Sequence, residues 1–552
     1  MPAYRTSGRG STRIAAIILA AAALAACSTA AASSSGVTTE TAVAAQAASG
    51  GPVAVTGTGL VRGTVAGATD QFLGIPYAAP PVGALRWAPP QPAAHWSGIR
   101  PATSFAPHCP QSASPFGLAS TSEDCLFLNV FRPARGPAHR PVMVWIHGGA
   151  LVTGESDGYD PANLARRGVV VVTINYRLGA LGFLAEGALA AQPGGPAGNY
   201  GLMDQQAALR WVHRNIARFG GDPHNVTIFG ESAGGLSVLS QVVSPGARGL
   251  FQRAIVESGA YALTEQPLAR AEQAGAAFAA KTGCAKDTDA ETAACLRGLP
   301  VATILANQNA TGYQPDLDGT VLTQSIGTAL ASGQFSRVPI INGSNHDEWR
   351  LFVALDTLTG QPPVTAANYV TSISNELGLP ASVAQQVASE YPVSSFPSAP
   401  EAMGAAGTDG VFACPALAVD LDAAKFVPVH AYEFSDENAP ERFLPPLGFP
   451  YGAAHASEIQ YLFDIAAAIP GSLTAGQQKL AMAMRTYWTG MALLGTPNLP
   501  AVPFWPAFRA GSQQMISLVP PQPQATRGFA AAHHCAFWAS LASGPVHEAL
   551  AQ

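Results

Sequence analysis

From about residue 53 onward, short apolar runs alternate with longer segments whose apolar positions recur at helical spacing. Val142–Ile146 is a short apolar run and Val169–Ile174 is rich in β-branched residues, and both predict buried strands. Val226–Phe229, Ala254–Val256, Val338–Ile341 and Val427–Phe434 continue the strand series. Asn199–Phe219 sets Leu202, Leu209, Val212, Ile216 and Phe219 near one face, which predicts a helix. Gly220-Gly221-Asp222-Pro223 then ends it. Thr56–Val65 alternates with glycine and predicts a hairpin ahead of the main sheet. The alternation of strand and helix patterns implies an α/β architecture around a central, mostly parallel twisted sheet flanked by helices. No internal repeat and no charged or proline-rich linker follows residue 53, so residues 53–552 read as a single domain.

The N-terminal residues follow a different pattern. Arg5, Arg9 and Arg13 precede an apolar run, Ile14–Ala26, that is short for a membrane span. This is the form of a secretory signal peptide. The run closes on Leu24-Ala25-Ala26-Cys27, small residues before a cysteine, as in a bacterial lipobox. Residues 1–27 are therefore expected to be a signal segment with Cys27 lipidated and first in the mature chain. The alternative is an ordinary cleavage site and full secretion. Anchoring through Cys27 would place the protein on a membrane, since two or more acyl chains hold stably where one is marginal. Residues 28–52, mostly Ala, Ser, Thr and Gly, lack the apolar surface needed to fold and read as a tether.

Composition adds two exclusions. Charged residues are 12% of the 552 and the net charge is -6, so nothing suggests a basic nucleic-acid surface. Once Cys27 is set aside, six of the seven cysteines remain, an even number that suggests disulfides in an exported protein. Six allow fifteen pairings, which sequence alone leaves open. The absence of a CxxC pair argues against a structural zinc site.

Gly230-Glu231-Ser232-Ala233-Gly234 is a G-x-S-x-G between the strand Val226–Phe229 and an expected helix beginning near Gly235. Strand, sharp turn and helix together form the setting of a nucleophile elbow, in which the serine hydroxyl stands clear and the helix N-terminus favours developing negative charge. His147-Gly148-Gly149-Ala150 directly follows another strand, where an oxyanion-hole loop is expected. The backbone N–H groups of Gly149, Ala150 and Ala233 are the candidate donors. Alanine at the third position keeps its N–H. His147 is read as structural.

The chain resembles the type-B carboxylesterase family, which includes cholinesterases and bile-salt-activated lipase. The resemblance runs from about Val53 to Leu541. It rests on Phe72-Leu73-Gly74-Ile75-Pro76-Tyr77-Ala78, Pro81-Val82-Gly83, Leu85-Arg86-Trp87, Glu123-Asp124-Cys125-Leu126-Phe127-Leu128-Asn129-Val130, Asn175-Tyr176-Arg177, Gly198-Asn199-Tyr200-Gly201-Leu202 and the Ser232 elbow. It implies the α/β-hydrolase fold, with a small N-terminal sheet and helical insertions, and hydrolysis of carboxylic esters. It also implies the pairs Cys109–Cys125, Cys284–Cys295 and Cys414–Cys535, the last restraining the unfolded chain by up to about 4–5 kcal/mol on the chain-entropy model.

A serine nucleophile needs a base, and the base an orienting carboxylate. Downstream histidines are His346, His430, His455, His533, His534 and His547, and chemistry alone does not choose. His430 lies within a strand, and His533 and His534 precede Cys535. Gly452-Ala453-Ala454-His455-Ala456-Ser457-Glu458 resembles the family's catalytic-histidine segment. Gly343-Ser344-Asn345-His346-Asp347-Glu348 resembles its acid motif and points to Glu348, with Asp347 the adjacent competitor. The family usually has glycine next, where this chain has Trp349, which bears on the local shape of the loop. Glu231, Ser258 and Glu458 match family positions around the site, and as plainly read as buried, hydrogen-bonded groups. A metal reading of His346-Asp347-Glu348 is disfavoured, because adjacent residues rarely converge on one ion. No metal or organic cofactor is required by this chemistry.

The expected substrate is a small-molecule ester, uncharged, with an aryl or short-to-medium acyl group. Longer acyl chains, as for a lipase, are the alternative. Phe116 is the only aromatic between Cys109 and Cys125, so a cation–π site for a choline ester has little support. The rival of another class is a non-catalytic adhesion module, against which Ser232, Glu348 and His455 all stand. A dinucleotide-binding reading of Gly57-Thr58-Gly59 fails, because no G-x-G-x-x-G and no βαβ unit follow.

Overall fold

The computed structural model describes residues 50–190, 198–308, 313–465 and 469–542. The expected signal segment with Cys27, residues 28–49 of the expected tether, and His547 lie outside the described residues.

Eleven strands form the main sheet: β1 (Thr64–Ala66), β2 (Thr69–Pro76), β3 (Phe127–Pro133), β4 (Arg140–Ile146), β5 (Val170–Ile174), β6 (Gly221–Glu231), β7 (Arg253–Glu257), β8 (Ile340–Asn345), β9 (Val429–Phe434), β10 (Met515–Leu518) and β11 (Gln524–Thr526). Their spatial order is β11-β10-β9-β8-β7-β6-β4-β5-β3-β2-β1. From β10 to β5 every neighbouring pair is parallel. The flanks, β11 on one side and β3, β2 and β1 on the other, pair antiparallel.

The apolar runs read as strands because both faces of the sheet are covered. Val142, Val144 and Ile146 of β4 enter one core with Leu209 and Val212 of α1 (Tyr200–Asn215) and Leu236 and Val238 of α2 (Ala233–Val243). Met143 and Trp145, the alternate residues, enter the opposite core with Leu480, Met484 and Trp488 of a long C-terminal helix, Ala475–Leu494. A third apolar cluster joins helices between residues 350 and 407 to Trp538. The first of these helices, Arg350–Leu358, follows closely on β8 and reaches the candidate site.

Two local readings are refined. The α-helix stops at Asn215, and Ile216–Phe219 tightens into a 3₁₀ turn before Gly220, whose φ of 80° suits glycine. The N-terminal hairpin pairs Val53–Thr56 with Gly59–Arg62, so Gly57-Thr58 is its turn, and it belongs to a separate three-stranded sheet with Ile99–Pro101. Val65, placed in that hairpin from the sequence, falls instead in β1 of the main sheet. Disulfides join Cys109 to Cys125, Cys284 to Cys295 and Cys414 to Cys535.

α2 lies so close to β7 that no side chain fits between them. A Cβ on Gly259 would fall 2.3 Å from the carbonyl carbon of Gly235 and 2.6 Å from the nitrogen of Leu236. Backbone atoms cannot rotate away as a side chain would. Gly259→Ala is expected to destabilise the fold by about 1–3 kcal/mol, as overpacking does, read as a lower urea midpoint. Gly187→Ala, where an added Cβ meets nothing within 4 Å, should shift that midpoint little.

Candidate active site

The path of the chain around Ser232 follows from the glycines on either side of it. β6 ends at Glu231, Ser232 turns at φ 56°, ψ -125°, and α2 begins at Ala233. A positive φ at a residue with a side chain costs about 1–3 kcal/mol and persists only where the surroundings enforce it. Here the Ser232 N–H donates to Glu257 O at 2.9 Å, tying the turn to β7. A Cβ on Gly234 would sit 2.0 Å from Ile146 O, and one on Gly230 2.6 Å from the same oxygen. Strand, turn and helix therefore close to within backbone contact, and Ser232 opens onto a cavity of about 580 Å³.

The loop after β4 passes the same point. A Cβ on Gly148 would meet Ser232 Cβ at 3.1 Å and Glu231 O at 2.8 Å. Gly149 and Ala150 take φ values of 103° and 53°, and both line the cavity. Among the described residues no hydrogen bond engages the N–H of Gly149 or Ala150, and that of Ala233 is a first-turn N–H of α2 without a partner in its helix. The ring of His147, wholly buried, stacks on Tyr176 at 4.5 Å, and Tyr176 Oη donates to His147 O at 2.8 Å. Burial lowers the His147 pKa to about 4, so its imidazole is a neutral support for the loop.

On the other side of Ser232, β8 delivers the acidic segment. Glu348 is fully buried; its Oε1 accepts the Asn345 N–H at 2.7 Å and its Oε2 lies 2.6 Å from His455 Nδ1. Asp347 points elsewhere: Oδ2 accepts the Ala453 N–H at 2.9 Å, and Oδ1 pairs with Arg350 at 2.8 Å. The two carboxyls thus have different tasks in the loop geometry, one on the imidazole and one on the backbone that carries it. Trp349 fits where glycine was expected because its φ and ψ, -73° and -11°, are right-handed. Its N–H donates to Thr408 Oγ1 at 3.0 Å, and its ring lies against Gly407, where a Cβ would meet Cγ of the indole at 2.1 Å.

His455 is packed against Phe352 and Phe412, with ring centroids 5.1 and 4.9 Å away. Its Nε2 lies 3.2 Å from Glu231 Oε1 and makes no hydrogen bond to Ser232. Ser232 and His455 share the lining of the cavity, while Glu348 stands behind the imidazole. Glu458 Oε2 accepts from Asn345 Nδ2 at 2.6 Å. Ser258, at φ 50°, donates its N–H to Gly343 O at 2.9 Å, and its buried Oγ has no partner among the described residues. The other histidines lie off the cavity lining: His430 is buried on β9, His346 pairs with Glu433, and His534 pairs with Glu390.

Several contributors carried no sequence signal read as functional. Leu351, Phe352 and Leu355 of the helix α3 (Arg350–Leu358), with Phe116, Phe443, Ile459 and Tyr159, make the cavity mostly apolar. The i, i+4 pair Leu351 and Leu355 directly after the acidic loop is the signal that would have found them. Asn345, inside the quoted motif, holds Glu458 and also donates to Ala454 O at 2.8 Å. Both carboxylates in the lining are engaged: Glu155 accepts the Leu118 N–H at 2.8 Å and faces His108 at 3.4 Å, and Glu231 faces His455.

The sequence model of the carboxylesterase family matches residues 50–538. The chain is 36% identical to para-nitrobenzyl esterase of Bacillus subtilis over 490 residues, covering 84% of this chain and 94% of that one. It is 36% identical to cocaine esterase of Homo sapiens (89% and 91% covered) and 35% identical to acylcarnitine hydrolase of Mus musculus (84% and 87%).

Burial pushes Glu231 well above its ordinary range, and the nearby Glu458 and Glu348 carboxyls add to this against the pull of His455. Burial alone would lower His455, but Glu231, Glu348 and the hydrogen bond to Glu348 outweigh it and raise the imidazole to about 9. The imidazole therefore holds its second proton more tightly than a free one does. An imidazole acting as a base must lose it, so kcat/KM for an ester should rise with pH through a limb above the usual imidazole value of about 6.5. Glu231→Gln removes one anionic neighbour and should move that limb to lower pH. A pH profile of kcat/KM for both forms checks this, and an unmoved limb contradicts it.

Proposed function

The chain belongs to the carboxylesterase family and is a carboxylic ester hydrolase, and from that premise we propose that it works through an acyl-enzyme on Ser232, with His455 as base and Glu348 as its orienting acid. The observation that carries this reading is the 2.6 Å contact between His455 Nδ1 and the fully buried Glu348, on the wall of the cavity that Ser232 enters. That contact fixes the tautomer with Nε2 free to take a proton. It also stabilises the imidazolium formed when the proton arrives. Catalytic hydrogen bonds are often long before substrate binds, so the serine and imidazole are expected to close in the Michaelis complex.

In the proposed cycle His455 takes the Ser232 proton as Oγ attacks the ester carbonyl. The N–H groups of Gly149, Ala150 and Ala233 receive the oxyanion, each such donor typically lowering the barrier by about 2.7–4 kcal/mol. The alcohol departs with the proton from His455, and water then hydrolyses the acyl-enzyme by the same route. Glu231, Glu458 and Ser258 hold the field and geometry around the imidazole. The apolar lining and the engaged state of both cavity carboxylates favour an uncharged ester of aryl or short-to-medium acyl type. Of the relatives, para-nitrobenzyl esterase and cocaine esterase are named for compact esters, which supports the shorter acyl range, while acylcarnitine hydrolase is named for an acyl ester of unstated length.

Ser232→Ala should abolish turnover of an aryl ester and covalent labelling by a fluorophosphonate, with the melting temperature kept. Substantial residual turnover would remove Ser232 from the reading. Glu348→Gln should cut kcat by roughly 10³–10⁴-fold, as loss of the orienting acid does elsewhere, and Asp347→Asn far less. The reverse ranking would transfer the acid's role to Asp347.

We further read the protein as exported, with residues 53–552 as one catalytic domain on the tether of residues 28–52. Three disulfides support an oxidising compartment. With Cys27 as the lipidated residue, Cys27→Ser should move the protein from the membrane fraction to the soluble one. Unchanged partitioning on ultracentrifugation would count against the anchor.

A further inference from the structure

Three consecutive residues leave the end of β8 and send their side chains three ways. Glu348 goes to His455 and Asp347 to Arg350 and the Ala453 N–H. His346 turns to the neighbouring strand, where its Nδ1 lies 2.7 Å from Glu433 Oε1 on β9. The same carboxylate oxygen lies 2.8 Å from His533 Nε2, which comes from the C-terminal segment beside the Cys414–Cys535 disulfide. Two imidazoles and a carboxylate from three distant parts of the chain thus meet at one point, their donor atoms all within 4.8 Å of one another.

We propose that His346, Glu433 and His533 bind a divalent transition-metal ion, zinc in the first place, with Asp409 as the residue that orients His533. Two imidazole nitrogens and one carboxylate oxygen are a donor set suited to zinc and poorly suited to calcium or magnesium, which prefer oxygen ligands. Tetrahedral zinc holds nitrogen and oxygen ligands at about 2.0–2.2 Å, which puts ligand atoms roughly 3.3 Å apart. Pairs at 2.7 and 2.8 Å, with the third within 4.8 Å, need side-chain shifts of an ångström or so to reach that geometry. The two imidazole nitrogens release protons when the ion enters, because only the neutral ring is a ligand.

The surroundings of His533 strengthen the assignment. Its other nitrogen, Nδ1, lies 2.5 Å from Asp409 Oδ1. A carboxylate on the far nitrogen of a ligating histidine is the usual support of such a ligand, fixing its tautomer and raising its basicity. Asp409 is held in turn: Tyr391 Oη donates to its Oδ2 at 2.7 Å, and Trp538 Nε1 donates to Tyr391 Oη at 2.8 Å. His533 is buried, whereas the His346 side chain is 41% exposed, so an ion has a route in from solvent and a fourth position open to water. None of the three ligands lines the cavity at Ser232, so the ion would clamp β8, β9 and the C-terminal segment together and take no part in ester chemistry. The second histidine–carboxylate cluster, His108 with Glu155 and Asp157, is different in kind. One ring bridges two carboxylates through its opposite nitrogens, and no second imidazole is present.

The test is isothermal titration of the tag-free, chelator-treated full chain with zinc chloride. One zinc per chain is expected, with a higher melting temperature in its presence. His346→Ala and Glu433→Gln should each weaken binding at least tenfold and abolish the zinc-dependent rise in melting temperature. Asp409→Asn should weaken it by roughly 10–100-fold, as loss of such a support does. The exposed His346 serves as the principal variant because His533→Ala endangers folding, and zinc-free melts show which variants remain folded. Absence of saturable binding at micromolar zinc would overturn the proposal. So would binding that survives unchanged in the folded His346→Ala and Glu433→Gln variants.

Discussion

The carbonyl oxygen of Ile146 stands 2.0 Å from where a side chain on Gly234 would begin. That approach between β4 and the start of α2 is the constraint on which the site depends. It is possible only because the contact positions around the turn, Gly148, Gly230, Gly234, Gly235 and Gly259, carry no Cβ. With the backbones pressed together, the turn has little choice but to lift Ser232 into a positive φ, and the bond from its N–H to Glu257 O holds it there. The same approach brings the loop of Gly149 and Ala150 beside the serine. Proposed nucleophile and proposed oxyanion donors are therefore placed by one packing event.

A second constraint is electrostatic. Glu231, Glu257, Glu348 and Glu458 are all buried near one imidazole. Burying that many anions together would be costly, and the structure answers by partition. Burial raises Glu257 well above its range and Glu458 to about 7, with Glu348 adding to the latter, while Glu257 accepts from Trp488 and Glu458 from Asn345. Glu348 has a backbone N–H on one oxygen and the imidazole on the other.

The strand cores were legible in the sequence because a strand covered on both faces is apolar almost throughout, as Val142–Ile146 is at every position and Val170–Ile174 is at all but Thr173. Strand ends were not, since Gly221 and Gly343–Asn345 extend ladders with glycine or polar residues that only pairing with a neighbour makes regular. Ser232 and the glycines around it were legible because a turn of this shape admits few residue types. The choice among histidines was different: only the family resemblance of its segment set His455 apart from His533, and each gains a carboxylate partner only through tertiary contact. The destination of His346 was hidden for the same reason. Adjacent residues in sequence suggest a shared site, whereas the end of β8 fans them out. Trp349 also needed coordinates, because its fit depends on Gly407, 58 positions away in the chain.

The bond between Cys414 and Cys535 closes a ring of chain that contains His455, the long helix Ala475–Leu494 and the surface segment where Phe504 stands 72% exposed. A protease that cuts once inside this ring divides the polypeptide without releasing a piece. The two fragments stay covalently joined, with the β9 and β10 strands still paired between them. Such a molecule would migrate as one species until a reductant is added, so clipping during purification or storage would go unseen in a non-reducing gel.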